Sequence, residues 1–164
     1  MSSDLQHIEQ AQKNVDFLES FIDQNKFNDW AITVAFYVCV HIAEAAIFLK
    51  KDLKHQGFSI RIENSEDLPT IATAAKIPPP KNLSWTAKLN HAFRNILLAE
   101  NFPEISEKYD YLYKKSKAAR YYCYKWNSKD VDLTLKYSLA FIIGWFNKTF
   151  SSSLKVSKPI LKQD

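Results

Sequence analysis

From Ala31 to Leu49 the chain is apolar on nearly every face of a helical wheel, broken only by Thr33, Tyr37, His41 and Glu44. A helix apolar all round belongs at the centre of a bundle, so its few polar residues are the first place to look for chemistry. Only two glycines, Gly57 and Gly144, occur in 164 residues. Sheets need glycine at tight turns and bulges, so this scarcity points to helices joined by few loops. The fold class expected is all-α. At 46% hydrophobic and 14% aromatic residues the chain is built to fold, and its length suits one domain without disulfide or metal staples.

Five helices are expected, that central one being the second. The first runs from about Ser3 to Gln24, with Leu5, Ile8, Val15, Leu18 and Ile22 as its apolar stripe. Ser3 can cap it, although the capping-box glutamate is absent. The second begins near Asp29, a plausible N-cap, and reaches about Lys54. Residues 55–84 read as a variable insertion or lid, because Pro69 and Pro78 to Pro80 break any long helix there, although one or two short helical turns fit Asp67 to Lys76. A third helix spans Ser84 to about Glu100, with Phe93 and Leu97 on its apolar face. Pro103 opens a fourth that reaches Tyr124, and Asn127 or Ser128 caps a fifth reaching about Ser151. The tail, 153–164, carries Lys155, Lys158 and Lys162 and is expected to be basic and mobile. No internal repeat is visible.

Several functional classes are poorly supported. Cys39 and Cys123 sit far apart within apolar or aromatic runs, with no C-x-x-C spacing, which suggests buried free thiols in a reducing, cytoplasmic setting. The stretch taken as most apolar, Leu139 to Phe146, is far shorter than the roughly 20 residues of a membrane span, so no membrane partner is expected. The formal charge of +4 permits a nucleic-acid partner without demanding one. Glycine-rich phosphate loops and Ser/His/Asp hydrolase motifs are absent.

Five fragments carry a resemblance: Asp29-Trp30, Ala35-Phe36-Tyr37-Val38-Cys39-Val40-His41-Ile42-Ala43-Glu44, His91-Ala92-Phe93-Arg94, Tyr109 to Leu112-Tyr113, and Ser116-Lys117-Ala118-Ala119-Arg120-Tyr121. In this order, over more than half the chain, they resemble the small helical proteins of the HEPN superfamily. The resemblance implies an up-and-down bundle of four or five helices over residues 1–152, usually a homodimer. Many such proteins are metal-independent RNases of toxin–antitoxin, CRISPR-linked or antiviral defence systems, and others are non-catalytic partners. The RNases carry R-x4–6-H on one helix. Here neither Arg61, Arg94 nor Arg120 is followed by histidine at that spacing, and the pair runs in reverse, His91 before Arg94.

Chemistry is still available in these residues. His41 and Glu44 share a helix face, as do His91 and Arg94. A carboxylate beside an imidazole fixes its tautomer for acid–base work, and a cation stabilises phosphate charge. His91, Arg94, His41, Glu44 and Arg120 are therefore the candidate catalytic set, needing no cofactor. The competing reading makes His41 a core histidine, with Arg120 as a structural partner of Glu44. A metal site from His41, Glu44 and His91 is disfavoured, because it lacks an H-E-x-x-H arrangement. On the fourth helix Lys114, Lys117, Tyr113, Tyr121 and Tyr124 are candidate RNA contacts, since cations meet phosphates and tyrosines stack on unpaired bases. Half of those tyrosines would instead be core or interface rings in the plainer reading. Two functions follow as expectations: a metal-independent endoribonuclease acting on single-stranded RNA in prokaryotic stress or defence, or a non-catalytic module binding a nucleotide or a cognate protein such as an antitoxin.

Overall fold

A computed structural model describes residues 3–24, 26–64, 85–122 and 126–162, with the side chains of 85–90 left aside. It is an all-α helical bundle carrying one small β-hairpin. Helix α1 is Asp4–Phe21, continued by a 3-10 turn, Ile22–Gln24; α2 is Asn28–Leu49; β1 is Leu53–His55 and β2 Phe58–Ile60. Helix α3 is Trp85–Asn101 and α4 Pro103–Tyr121. The last long rod is α5, Ser128–Thr134, running through a π-helical stretch, Leu135–Ala140, into α6, Phe141–Phe150. Among the described residues Tyr109, Phe36, Phe93 and Phe146 are the largest fully buried side chains.

Caps explain several boundaries. Ser3 Oγ accepts from Gln6 N–H while the Gln6 side chain takes the Ser3 N–H, so glutamine completes the capping box that a glutamate search misses. The buried face of α1 is His7, Ala11, Val15, Leu18 and Ile22, and Leu5 stands exposed, which corrects the stripe read from the sequence. Asp29 is not the cap of α2. It lies inside the first turn, where its carboxylate suits the helix dipole and accepts from Trp126 N–H at 3.1 Å. Asn127 caps α5 and forms a second capping box with Asp130. Pro103 opens α4 as expected, and α4 ends at Tyr121 rather than Tyr124, which lies outside the described residues.

Helix α2 stops at Leu49, five residues earlier than its composition suggests. The following residues turn into the hairpin, where Gln56 and Gly57 both take positive φ, as the twist of a two-residue turn requires. Asn101 fastens this hairpin to α3, accepting from Lys54 N–H at 2.7 Å and donating to Lys54 C=O at 2.8 Å. Those contacts lie 47 residues apart in sequence, so no local pattern announces them. The hairpin occupies the start of the expected 55–84 insertion, and residues 65–84 lie outside the described part.

Helix α2 packs against α1, α4, α6, the π stretch and α3. By length and composition it alone among the described helices could cross a membrane, a segment the sequence reading passed over in favour of Leu139 to Phe146. Most of α2 is buried inside the bundle. Residues 153–162, expected to be a mobile tail, fold back on α1. Glu19 accepts from the Ser157 and Lys158 N–H groups, Gln12 and Lys155 exchange two hydrogen bonds, and Leu154 and Leu161 are buried. Lys155 and Lys162 are exposed, whereas Lys158 is half-buried and pairs with Asp23, so backbone, leucines and one lysine hold the tail down.

Candidate functional site

Tyr37, His41 and Glu44 recur at four- and three-residue steps on α2, so they share one face of an otherwise buried helix. Around that face the bundle gathers His7 from α1, His91 and Arg94 from α3, and Tyr109, Tyr113 and Arg120 from α4. The candidate catalytic residues therefore cluster, but as two regions that differ in exposure.

The inner region is a closed polar network. Glu44, 5% exposed, accepts from the Arg94 guanidinium through Oε1, and its Oε2 lies 3.1 Å from His7 Nδ1. Glu44 thus pairs with Arg94, not Arg120. Arg94 is 3% exposed and its Nη1 donates to His91 Nδ1 at 3.1 Å. Burial pulls the Arg94 pKa down, but Tyr109 and Glu44 more than reverse this, so it stays charged. Tyr109 is buried beside Arg94, and burial raises its pKa to about 12 against the pull of that cation. Its hydroxyl and Arg94 Nε nevertheless make no well-aligned hydrogen bond. His41, half-buried, places Nδ1 2.9 Å from His7 Nδ1. Burial lowers the pKa of both rings; His7 and Arg94 push His41 further down, and Glu44 opposes.

His91 sits between the regions. Its ring stacks on Tyr113, 5.8 Å between centroids, and tilts against Phe36. Burial, then the Arg94 and Arg120 charges, lower its pKa to about 4. At neutral pH it is therefore uncharged. A neutral imidazole has one donor and one acceptor nitrogen. Nδ1 accepts from Arg94, which leaves the proton on Nε2 and no free lone pair for a general base.

The outer region is open. Arg120 is exposed; its guanidinium lies about 6 Å from the Phe36, Tyr37 and Tyr121 rings, and Nη1 donates to Tyr37 Oη at 3.4 Å. It also borders a surface pocket of about 650 Å³ between the start of α2 and the end of α4, lined by Lys26, Phe27, Asn28, Asp29, Trp30, Thr33, Ala119, Arg120 and Trp126. Trp30 is 63% exposed there and Phe27 47%. Asn28 donates to Trp126 C=O at 3.1 Å, and with the Asp29 contact to Trp126 N–H it fixes that wall. Lys115 Nζ caps the Trp126 ring, 3.6 Å from its centroid. A second hollow of about 440 Å³, between α3 and α4, is bordered by Glu107 and Asp110 with no cation, and so does not suit an anion.

The candidate RNA contacts divide. Tyr121 is exposed beside Arg120, and Tyr113 is half-buried against His91. Lys117 is exposed, Lys114 pairs with Asp110 at 2.6 Å, and Tyr124 lies outside the described residues. Sequence reasoning missed His7 and, at the pocket, Lys26 and Phe27. The only signal for His7 was the four-residue spacing to Ala11 and Val15, hidden while Leu5 was counted into the stripe. His7, His41 and Glu44 are also the one group among the described residues whose spacing suits a metal ion; His91 lies outside it.

Compared with known proteins, the chain matches no family model, no curated protein and no solved structure.

Proposed function

We propose that this chain is a HEPN-like binding module that holds single-stranded RNA, or a nucleotide, in the pocket between α2 and α4. The observation that carries this reading is the pairing of exposed rings with cations around one concavity: Trp30 and Phe27 beside Lys26 and Arg120. Aromatic faces stack on unpaired bases of any sequence, and cations meet the phosphates between them. The fragments Asp29-Trp30 and Arg120-Tyr121, far apart in the sequence, meet at this pocket.

The endoribonuclease reading has weaker support. Arg94 is almost inaccessible and committed to Glu44, and His91 has no free lone pair while Arg94 occupies Nδ1. A phosphate needs an accessible cation, and a 2′-hydroxyl needs an available base. What favours cleavage is the position of His91 within the field of the exposed Arg120. Cleavage would require His91 to release Arg94.

One experiment separates the two. A fluorescent single-stranded RNA pool is titrated with protein at low salt without metal, and the same samples are run on a denaturing gel. Saturable binding that weakens in Trp30→Ala and Arg120→Ala, with intact RNA, is the expected result. Cleavage that vanishes in His91→Ala would restore the nuclease. A folded protein that neither binds nor cuts would move the pocket to a protein partner.

A further inference from the structure

We propose that His7, His41 and Glu44 form a binding site for a divalent transition metal of the zinc type. The site is separate from the α2–α4 pocket and does not depend on what that pocket binds.

Three lone-pair-bearing atoms converge from two helices. His7 Nδ1 lies 2.9 Å from His41 Nδ1 and 3.1 Å from Glu44 Oε2, and all three ligand atoms fall within 4.8 Å of one another. Zinc bound tetrahedrally at roughly 2.0–2.1 Å sets its ligand atoms about 3.3 Å apart. The two measured edges need open by only a few tenths of an ångström. Two imidazoles and one carboxylate, with a fourth position open, is a donor set zinc accepts.

Hydrogen bonding serves this arrangement less well. His7 Nδ1 carries at most one proton yet faces two acceptor-capable atoms at hydrogen-bond distance. If that proton is present, it must be shared between His41 and Glu44. If it is absent, the Nδ1 lone pair faces the carboxylate. A cation at the centre engages all three atoms at once.

The surroundings also fit. Arg94 holds the other oxygen of Glu44 and is itself bonded to His91, so the carboxylate is oriented as a ligating carboxylate needs to be. The Arg94 charge opposes a metal and limits affinity. His7 and Glu44 are buried while His41 is half-buried, which gives an ion one way in. Each imidazole ligates through Nδ1 as its Nε2–H tautomer, so binding asks at most for a proton shift within the ring.

The test is a titration of metal-free, full-length protein with Zn²⁺ against a chromophoric chelator, with Co²⁺ as a spectroscopic probe. Wild type should take up one equivalent, give the intense visible bands of tetrahedral Co²⁺ and melt at higher temperature with Zn²⁺ present. His41→Ala, at the half-buried position, should weaken binding by at least about tenfold, and His7→Ala likewise if circular dichroism shows it folded. His55→Ala should bind as wild type does. No uptake by wild type, uptake unchanged in His41→Ala, or uptake lost only in His55→Ala would each overturn the proposal.

Discussion

Arg94 and Arg120 sit on neighbouring helices and both act on His91, yet they live in different solvents. Arg94 is 3% exposed, clamped by Glu44 and flanked by Tyr109. Arg120 is exposed, hydrogen-bonded to a backbone carbonyl and a tyrosine, and surrounded by ring faces. A buried ion pair has already exchanged its hydration for fixed partners, and a new anion would have to displace Glu44. An exposed guanidinium over aromatic faces keeps donors in hand. Identical side chains thus hold the core together in one place and offer a binding surface in the other.

Breaking this contrast at its strongest point should give the largest effect. Arg94→Leu leaves the Glu44 carboxylate buried and unpaired from Arg94, which costs about 3–5 kcal/mol of stability. Glu44→Leu combined with Arg94→Leu should recover much of that, because no lone charge remains in the core. Arg120→Leu should cost less than about 1 kcal/mol. Chemical denaturation of the four proteins measures all three. Equal losses for the two arginine variants would mean that the inner and outer regions are energetically alike.

Next comes the outer surface read as a binding site. Trp30→Ala should weaken single-stranded RNA binding by roughly tenfold or more, since one base–aromatic stack is worth about 1–3 kcal/mol. Its stability should stay within about 0.5 kcal/mol of wild type, because the ring is mostly exposed. Anisotropy and a melt on the same sample check both halves. Parallel loss of binding and stability would make Trp30 part of the core rather than of a surface.

How much of this was legible in the sequence depended on distance along the chain. Helix periodicity marked α1, α2, α3, α4 and the last rod, because residues three and four apart decide which face is buried. For the same reason the three-residue spacings paired His41 with Glu44 and His91 with Arg94 on shared helix faces, but that the two pairs meet was not legible. Glu44 choosing Arg94 over Arg120 was not legible, since both lie far from it in sequence and either could have faced it. The hairpin held by Asn101 and the tail held by Glu19 depend on side chain-to-backbone bonds across 47 and 138 residues. Such bonds leave no periodic trace. Exposure was hidden as well, since nothing local separates an arginine that braces a core from one that meets solvent.

His91 offers a smaller and pH-dependent test. Its folded pKa falls from 6.5 to about 4, so the unfolded chain takes up a proton that the folded protein refuses. Its contribution is complete above about pH 6.5 and is lost as pH falls toward 4. A full shift of that size corresponds to roughly 3 kcal/mol, and screening of a half-buried ring reduces it to about 1–2. Denaturation of wild type and His91→Gln between pH 7 and pH 4 should show the variant losing less stability across that window. Identical pH profiles would place the ring in solvent, with Arg120 rather than Arg94.

The smallest effect separates two lysines on α4. At 3.6 residues per turn, Lys117 lies about 60° round the helix from Arg120, and Lys114 about 120°. Lys114 is also engaged by Asp110. If RNA lies over the pocket, Lys117→Ala should remove about one phosphate contact and reduce the salt dependence of binding by roughly 0.7 in log–log slope. Lys114→Ala should leave that slope unchanged and cost at most about 0.5 kcal/mol of stability, the worth of an exposed i,i+4 pair. Binding titrations at several salt concentrations resolve the two slopes. Equal reductions would mean that RNA follows the length of α4, and the pocket beside Trp30 would then be only one end of a longer track.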